Sequence, residues 1–372
     1  MNVFTCPDDF EGLIRGLPDF DNHEEVVFAQ DEESGLQALL AVHNLSRGPG
    51  TGGTRLWNYD SLEEAATDAL RLSTGMTYKN ALAELPFGGG KAVILSSGEI
   101  RNRRELMLAF GRAVDSLDGR YCTAEDVGTS TEDMAIVSET TSHIFGLSNT
   151  SGDPSPHTAQ GVLMGMEESV KVALKTDDLQ GVRVLVQGAG HVGYHLCELL
   201  YERGAKIYVS DINPRAVARC EQDFGVEGVA VDRVFETEVD VYSPCALGAT
   251  ICNEILSKLT CRVIAGAANN QLQSDTLAEA LEEKGILYAP DYLINAGGII
   301  NISCEVSQTY DSKLAIEKVA GIRFRMQEVL RRSKQEGKTT VAVAKEMARE
   351  KFTEGKSSRV EMRTVSRALP MC

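Results

Sequence analysis

The stretch from Val182 to Asp211 constrains the fold more than any other. Val182 to Gln187 is a short apolar run, followed by Gly188-Ala189-Gly190-His191-Val192-Gly193 and then by a helical pattern. A second apolar run, Lys206 to Ser210, ends at Asp211. Placed between a strand and a helix, G-x-G-x-x-G permits a tight turn and the close approach of a pyrophosphate to the helix N-terminus. An acid closing the second strand stands where a ribose hydroxyl is bound. This spacing predicts a Rossmann unit and a dinucleotide, with Gly188, Gly190, Gly193 and Asp211 as cofactor contacts. A carboxylate repels a 2′-phosphate, so NAD is expected over NADP, with Arg215 as the nearby residue that would favour a phosphate. The alternation continues through helices 214–224, 252–259 and 274–284 and strands near 239–242, 262–265 and 286–288, a doubly wound sheet. Ser243 to Ala246 and Ala267 to Asn270 follow strands, where ligands bind in such sheets.

The N-terminal part reads as a second α/β domain. Residues 1–22 look irregular. Val26 to Phe28 and Leu36 to His43 read as paired strands about a turn at Glu33-Ser34-Gly35. Gly48 to Arg55 holds so much glycine that a loop lying close to a ligand is expected. Ser61 should cap the next helix, with Glu64 at the capping-box position. That helix enters Gly75 to Ile94, GMTYKNALAELPFGGGKAVI, whose lysines Lys79 and Lys91 sit in an apolar, glycine-rich setting. The three glycines read as a tight turn that delivers Lys91 to the start of a strand over 91–95. A desolvated lysine beside another cation has a lowered pKa and can serve as a base. A helix from about 102 to 117 precedes a strand over Tyr121 to Ala124, and Asp126 follows that strand, at the ligand end of an α/β sheet. Ser130 with Asp133 should cap a helix to Thr140. The Gly/Ser/Pro-rich residues 146–157 mark the boundary. The domains expected are 1–149, with 333–372 returning to it, and 150–332. Helices near 313–335 and 339–352 close the fold.

Four segments together, GTGGTRLW (Gly50 to Trp57), Gly75 to Ile94, YCTAEDVGTSTEDM (Tyr121 to Met134) and APDYLINAGGIIN (Ala289 to Asn301), resemble the glutamate/leucine/phenylalanine/valine dehydrogenase family, and its leucine-type branch in particular. The likeness runs from about Val26 to Phe352. It implies two α/β domains with an active-site cleft between them, and reversible NAD-dependent oxidative deamination of an L-amino acid to a 2-oxo acid and ammonia. By resemblance Lys79 binds the substrate carboxylate, Lys91 activates water and Asp126 moves protons on the nitrogen. Gly52 and Gly53 would meet the substrate through their backbone, with Met76, Thr51, Ile299 and Ile302 also around it. Thr158 and Asn269 match positions near the nicotinamide and substrate, and Ala246, after its strand, is expected to line the cofactor crevice. Glutamate-specific members carry a lysine where this chain has Thr51, and leucine-type members usually a leucine. A branched aliphatic substrate is therefore expected, with phenylalanine, tryptophan or glutamate as the alternatives. A nucleotide-binding protein without catalysis is a further alternative, opposed by the retention of Lys79, Lys91 and Asp126.

Composition narrows the class. A net charge of −17 argues against nucleic acid as a partner. No apolar run is long enough to span a membrane, and the N-terminus MNVFTCPDDFEGL has no basic segment followed by an apolar one, so a cytoplasmic enzyme is expected. Nine dispersed cysteines without C-x-x-C read as reduced thiols. His191 and His195, four apart on one helix, read as an ordinary helix face, and no metal is expected. Residues 1–150 carry net −13 and residues 331–372 net +6, so the basic C-terminus can pack back onto the acidic N-terminal part, against the tail-like look of Gly355 to Ser358. A homo-oligomer follows from the family resemblance.

Overall fold

The computed structural model describes residues 8–96, 98, 100–147, 151–246, 248, 250–307, 310–353 and 359–364. The tail-like residues 355–358 and the middle of the boundary segment, 148–150, lie outside them. The chain forms two compact units, residues 1–152 with 349–372, and residues 153–348.

The first unit opens with helix α1 (Phe10–Gly16), where an irregular segment was expected. Asp9 caps it by accepting from the Gly12 N–H at 2.8 Å, and Phe10 and Ile14 are buried in the same core as Phe28. Strands β1 (Glu25–Asp31) and β2 (Leu36–Asn44) form the expected antiparallel pair. Next comes β3 (Gly50–Trp57), which is the glycine-rich segment itself. It is a strand, not a loop, and pairs in parallel on both sides. Helix α2 (Leu62–Leu82) follows, with Ser61 accepting from the Glu64 N–H. The return bond of the capping box goes one residue upstream, from the Asp60 N–H to Glu64.

Strand β4 spans Gly88–Leu95, so the three glycines lie inside it and make no turn. Their small size serves packing. A Cβ on Gly89 would stand 2.1 Å from Thr77 Oγ1 and 2.3 Å from the Thr77 amide, because α2 lies directly on the strand there. A Cβ on Gly52 would stand 1.9 Å from the carbonyl oxygen of Gly90. Glycine in a sequence signals a loop, but here it answers close approach of backbone within a sheet. Helix α3 (Arg103–Asp115), strand β5 (Tyr121–Glu125) and helix α4 (Thr131–Val137) complete this run. The full capping box of Ser130 and Asp133 starts α4, which ends before Thr140.

The second unit begins with α5 (Ser155–Leu174), then β6 (Arg183–Gln187), α6 (His191–Glu202), β7 (Lys206–Ser210) and α7 (Pro214–Phe224). The short strands β8 (Glu227–Gly228), β9 (Val241–Pro244), β10 (Val263–Ile264) and β11 (Leu287–Tyr288) alternate with helices α8 (Asn253–Leu256) and α9 (Leu277–Glu283). Their order is β11-β10-β9-β6-β7-β8, all pairs parallel, the doubly wound Rossmann arrangement. Helices α10 (Asp291–Ile294), α11 (Gly297–Ser303), α12 (Ser312–Glu336) and α13 (Thr340–Arg349) follow. Helix α13 belongs here and not, as the charge pattern suggested, to the first unit. Val341 is buried with the core of the second sheet, and the Thr340 hydroxyl donates to the Tyr288 carbonyl at 2.6 Å.

The chain then returns to the first unit, at residue 349 where 333 was expected. It adds strand β12 (Arg359–Thr364) in parallel to β1, giving a first sheet of order β12-β1-β2-β4-β3-β5. The basic segment does meet the acidic one: Arg363 and Arg120 both face the buried carboxylate of Glu25.

Candidate active site

The carboxyl ends of the parallel strands β3, β4 and β5 bring together side chains that are far apart in sequence. Asp126 immediately follows β5, and Lys91, 6% exposed, stands in the middle of β4. Lys91 Nζ donates to Asp126 Oδ2 at 2.5 Å. The turn bearing Asp126 is fixed by Thr129, whose hydroxyl accepts from the Asp126 N–H and donates to carbonyls at 2.9 Å. Burial pushes the Asp126 carboxyl up, but Lys91 and then Arg55 outweigh it and hold it below the usual carboxylate range. Lys91 was expected beside a second cation; the partner the structure gives it is an anion.

Helix α2 packs on β4 and β3 beside this pair. Lys79 is half-buried in its last turn. One turn earlier, Met76 lies against Gly52, its Cγ 3.3 Å from where a Cβ on that glycine would be. Gly53 sits against Asp126, which leaves 2.8 Å between its missing Cβ and that of the aspartate. Thr51 is buried, and its hydroxyl accepts from Asn80 Nδ2 at 2.9 Å, so it is no bare polar group.

In the second unit, Gly188 has φ of 104° and a Cβ there would stand 2.8 Å from the amide of Ala246. At Gly193 it would stand 1.8 Å from the Gly188 carbonyl oxygen. Above Gly190 it would meet nothing within 4 Å, and α6 starts there without a side-chain cap. An uncapped helix start beneath open space is where a diphosphate fits. Asp211 closes β7, accepting from the Ala189 N–H at 2.7 Å and from the Asn213 N–H at 2.7 Å. Its carboxylate is thus held beside the glycine turn, and the residues present fit a dinucleotide. Thr158 in the first turn of α5 donates to the Pro154 carbonyl, and exposed Asn269 accepts from Asn295 Nδ2 at 3.0 Å. Ile299 and Ile302 share the half-buried side of α11, whose other residues from Gly297 to Ser303 are buried.

Residues 23–143 match the model of the Glu/Leu/Phe/Val dehydrogenase dimerisation domain, and residues 211–359 that of Glutamate/Leucine/Phenylalanine/Valine dehydrogenase. Leucine dehydrogenase of Bacillus subtilis (strain 168) is 46% identical over 93% of this chain and 96% of its own length. The chain belongs to the Glu/Leu/Phe/Val dehydrogenase family. L-tryptophan dehydrogenase of Nostoc punctiforme is 40% identical over 91% of this chain and 95% of its own. The crystal structure of L-tryptophan dehydrogenase from Nostoc punctiforme superposes with a TM-score of 0.77 at 38% identity, covering 89% of this chain and 96% of that one.

As an amino-acid dehydrogenase of this family, the protein carries polar residues around Asp126 and Thr51 that the motifs alone did not single out. Arg55 Nη1 donates to Asp68 Oδ2 at 2.8 Å, and the Tyr59 hydroxyl donates to the same oxygen at 2.7 Å. Asn80 also donates to the Gly88 carbonyl at 2.6 Å, tying α2 to the start of β4. The signal in sequence was weak: one arginine in a glycine-rich strand, and an aspartate on a helix face that reads as solvated. Among the described residues no helix is long and apolar enough to cross a membrane.

Proposed function

We propose that the protein catalyses NAD-dependent oxidative deamination of a branched aliphatic L-amino acid to the 2-oxo acid and ammonia, reversibly. The observation that carries this is the pairing of Lys91, within β4, with Asp126, just after β5, a base and a proton carrier within direct reach. When bound, NAD supplies the acceptor for the hydride leaving Cα. Gly188, Gly190, Gly193, Asp211, Ala246, Thr158 and Asn269 are the residues that would hold it. Lys79 would hold the α-carboxylate as a point charge. Asp126 would take a proton from the substrate ammonium, leaving a neutral amine that can become an imine as the hydride departs. Lys91, as a neutral amine, would take a proton from the water that attacks the imine carbon. Asp126 would then return its proton to the nitrogen, and the carbinolamine would collapse to the 2-oxo acid as the departing ammonia takes up the hydroxyl proton and Lys91 gives its own proton to solvent. Positioned acid–base groups contribute on the order of 10²–10⁴-fold each.

The choice of side chain rests on Thr51, Met76, Ile299 and Ile302. Thr51 is met by the neutral amide of Asn80, which offers no counter-charge to a side-chain carboxylate. Burying such a group unpaired costs several kcal/mol. An aromatic substrate is the second reading, favoured by the likeness to the tryptophan enzyme. Assembly as a cytoplasmic homo-oligomer is part of the proposal, supported by the match of residues 23–143 to a dimerisation domain.

The test follows NADH absorbance with leucine, valine, phenylalanine, tryptophan and glutamate, using NAD and NADP in turn. Leucine or valine with NAD should give the highest kcat/KM. Glutamate in the lead would refute the argument from Thr51; equal use of NADP would refute the role of Asp211.

A further inference from the structure

Deamination by this route places two opposed demands on one ion pair. It needs Lys91 as a neutral amine and Asp126 as a carboxylate in the same complex. Yet Lys91 is the hydrogen-bonded counter-ion of that carboxylate. Once Lys91 loses its proton, a largely buried anion is left without that charge, and burial alone would favour its protonated form.

A second cation stands ready. Arg55 Nε is 3.5 Å from Asp126 Oδ2, about half an ångström beyond an ordinary N–H···O bond. That Nε is buried and makes no hydrogen bond. The far end of the guanidinium is anchored: Nη1 donates to Asp68 Oδ2, an oxygen that also accepts from the Tyr59 hydroxyl. Burial works against the charge of Arg55, and Asp68 and Asp126 more than restore it. Arginine does not deprotonate in proteins, so this charge persists when lysine's is gone.

Resting on the reading of the reaction above, we infer that Arg55 is a positioning residue, the standing counter-ion of Asp126, which closes its free Nε–H onto the carboxylate when Lys91 turns to the reacting water. Among the described residues, the following groups face or adjoin Asp126. Lys91 comes from β4 and Arg55 from β3. From β5 come the phenol of Tyr121, whose hydroxyl donates to the Gly52 carbonyl, and the neighbouring Glu125, which accepts from Thr131. From α2, Asp68 acts through Arg55.

The test titrates Asp126 directly. Protein labelled with ¹³C in its aspartate carboxyls is followed by NMR, the Asp126 signal being the one lost in Asp126→Asn. In Arg55→Gln the Asp126 midpoint should rise by at least about half a unit, with a smaller rise in Arg55→Lys. The kcat of Arg55→Gln should fall on the order of tenfold or more, with KM for the amino acid little changed, and Arg55→Lys should recover part of it. A folded Arg55→Gln with an unmoved Asp126 midpoint overturns the inference. If that variant does not fold, Asp68→Asn decides: with its anchor neutralised, Arg55 leans on Asp126, and the midpoint should fall. A rise, or no change, overturns the inference equally. Unaltered protein that turns over no amino acid, with the midpoint shifts present, would sink the reading of the reaction and leave the Arg55–Asp126 pairing standing.

Discussion

Lys91 and Asp126 hold each other in place from two neighbouring regions of one sheet, at 2.5 Å and largely out of water. In such a setting a charge-assisted bond is short and directional, so each side chain has one orientation available before any ligand arrives. Removing either partner therefore has two effects, a lost chemical group and an unpaired buried charge. Lys91→Ala and Asp126→Asn should each lower kcat by about 10²–10⁴-fold, while NAD affinity measured by fluorescence titration stays within a factor of about two, since the residues proposed to hold NAD belong to the second unit. A Lys91→Ala enzyme retaining more than a tenth of kcat would show that another group activates the water.

At the scale of elements, the piece that aims Asp126 is the turn into α4. Ser130 and Asp133 exchange both bonds of a capping box, and Arg103 grips the Asp133 carboxylate through Nε and Nη2, each at 2.7 Å. Burial alone would raise the Asp133 carboxyl; Arg103 and Ser130 outweigh it and hold it below its ordinary value. A depressed carboxyl contributes stability that is full above its unfolded value of 3.8 and is lost as the pH falls through its lower folded value. Asp133→Ala should cost roughly 1–2 kcal/mol at neutral pH, read as a lower midpoint in urea. The gap to the unaltered protein should narrow as the pH falls below 3.8; a gap that stays constant to low pH would exclude the ion pair as its source. The same substitution should reduce kcat, because α4 and the Asp126 turn are consecutive in the chain.

At the scale of the molecule, the chain leaves the first unit after residue 152 and comes back to it at 349. The returning β12 covers the edge of β1, and Arg363 joins Arg120 at Glu25, a carboxylate with 0% exposure. Burial holds the Glu25 carboxyl above its ordinary 4.5 despite these two arginines. As the pH falls, the folded protein takes up that proton before the unfolded chain does. The cost of keeping Glu25 charged is thus present at neutral pH and relieved as the pH falls through the folded value toward 4.5. A chain ending at Thr353 loses Arg363 and bares the edge of β1. It should melt lower than the full chain, and by a wider margin at pH 7 than near pH 4.5. An equal margin at both would mean that strand pairing alone accounts for the loss.

Local pattern was enough to read the Rossmann unit from its residues: strand, glycine turn, helix and terminal acid are consecutive, and each responds to neighbours within a few positions. Asp126, Gly188 and Asp211 could be singled out for the same reason, since strand ends and glycine turns are where ligands bind in such sheets; Lys91 was singled out through a glycine turn that proves to be strand β4. What failed was the reading of the two glycine-rich segments of the first unit as a loop and a turn. Gly50 to Gly53 and Gly88 to Gly90 are strand residues because α2 and adjacent strand backbone press on them, and nothing within a few residues reports what will lie opposite. The pairing of β12 with β1, the placement of α13 on the second unit and the pairing of Arg55 with Asp68 and Asp126 were decided in three dimensions. Each joins segments that are separated in sequence, and the energy that selects it, burial together with charge pairing across the gap, exists only after the chain has folded.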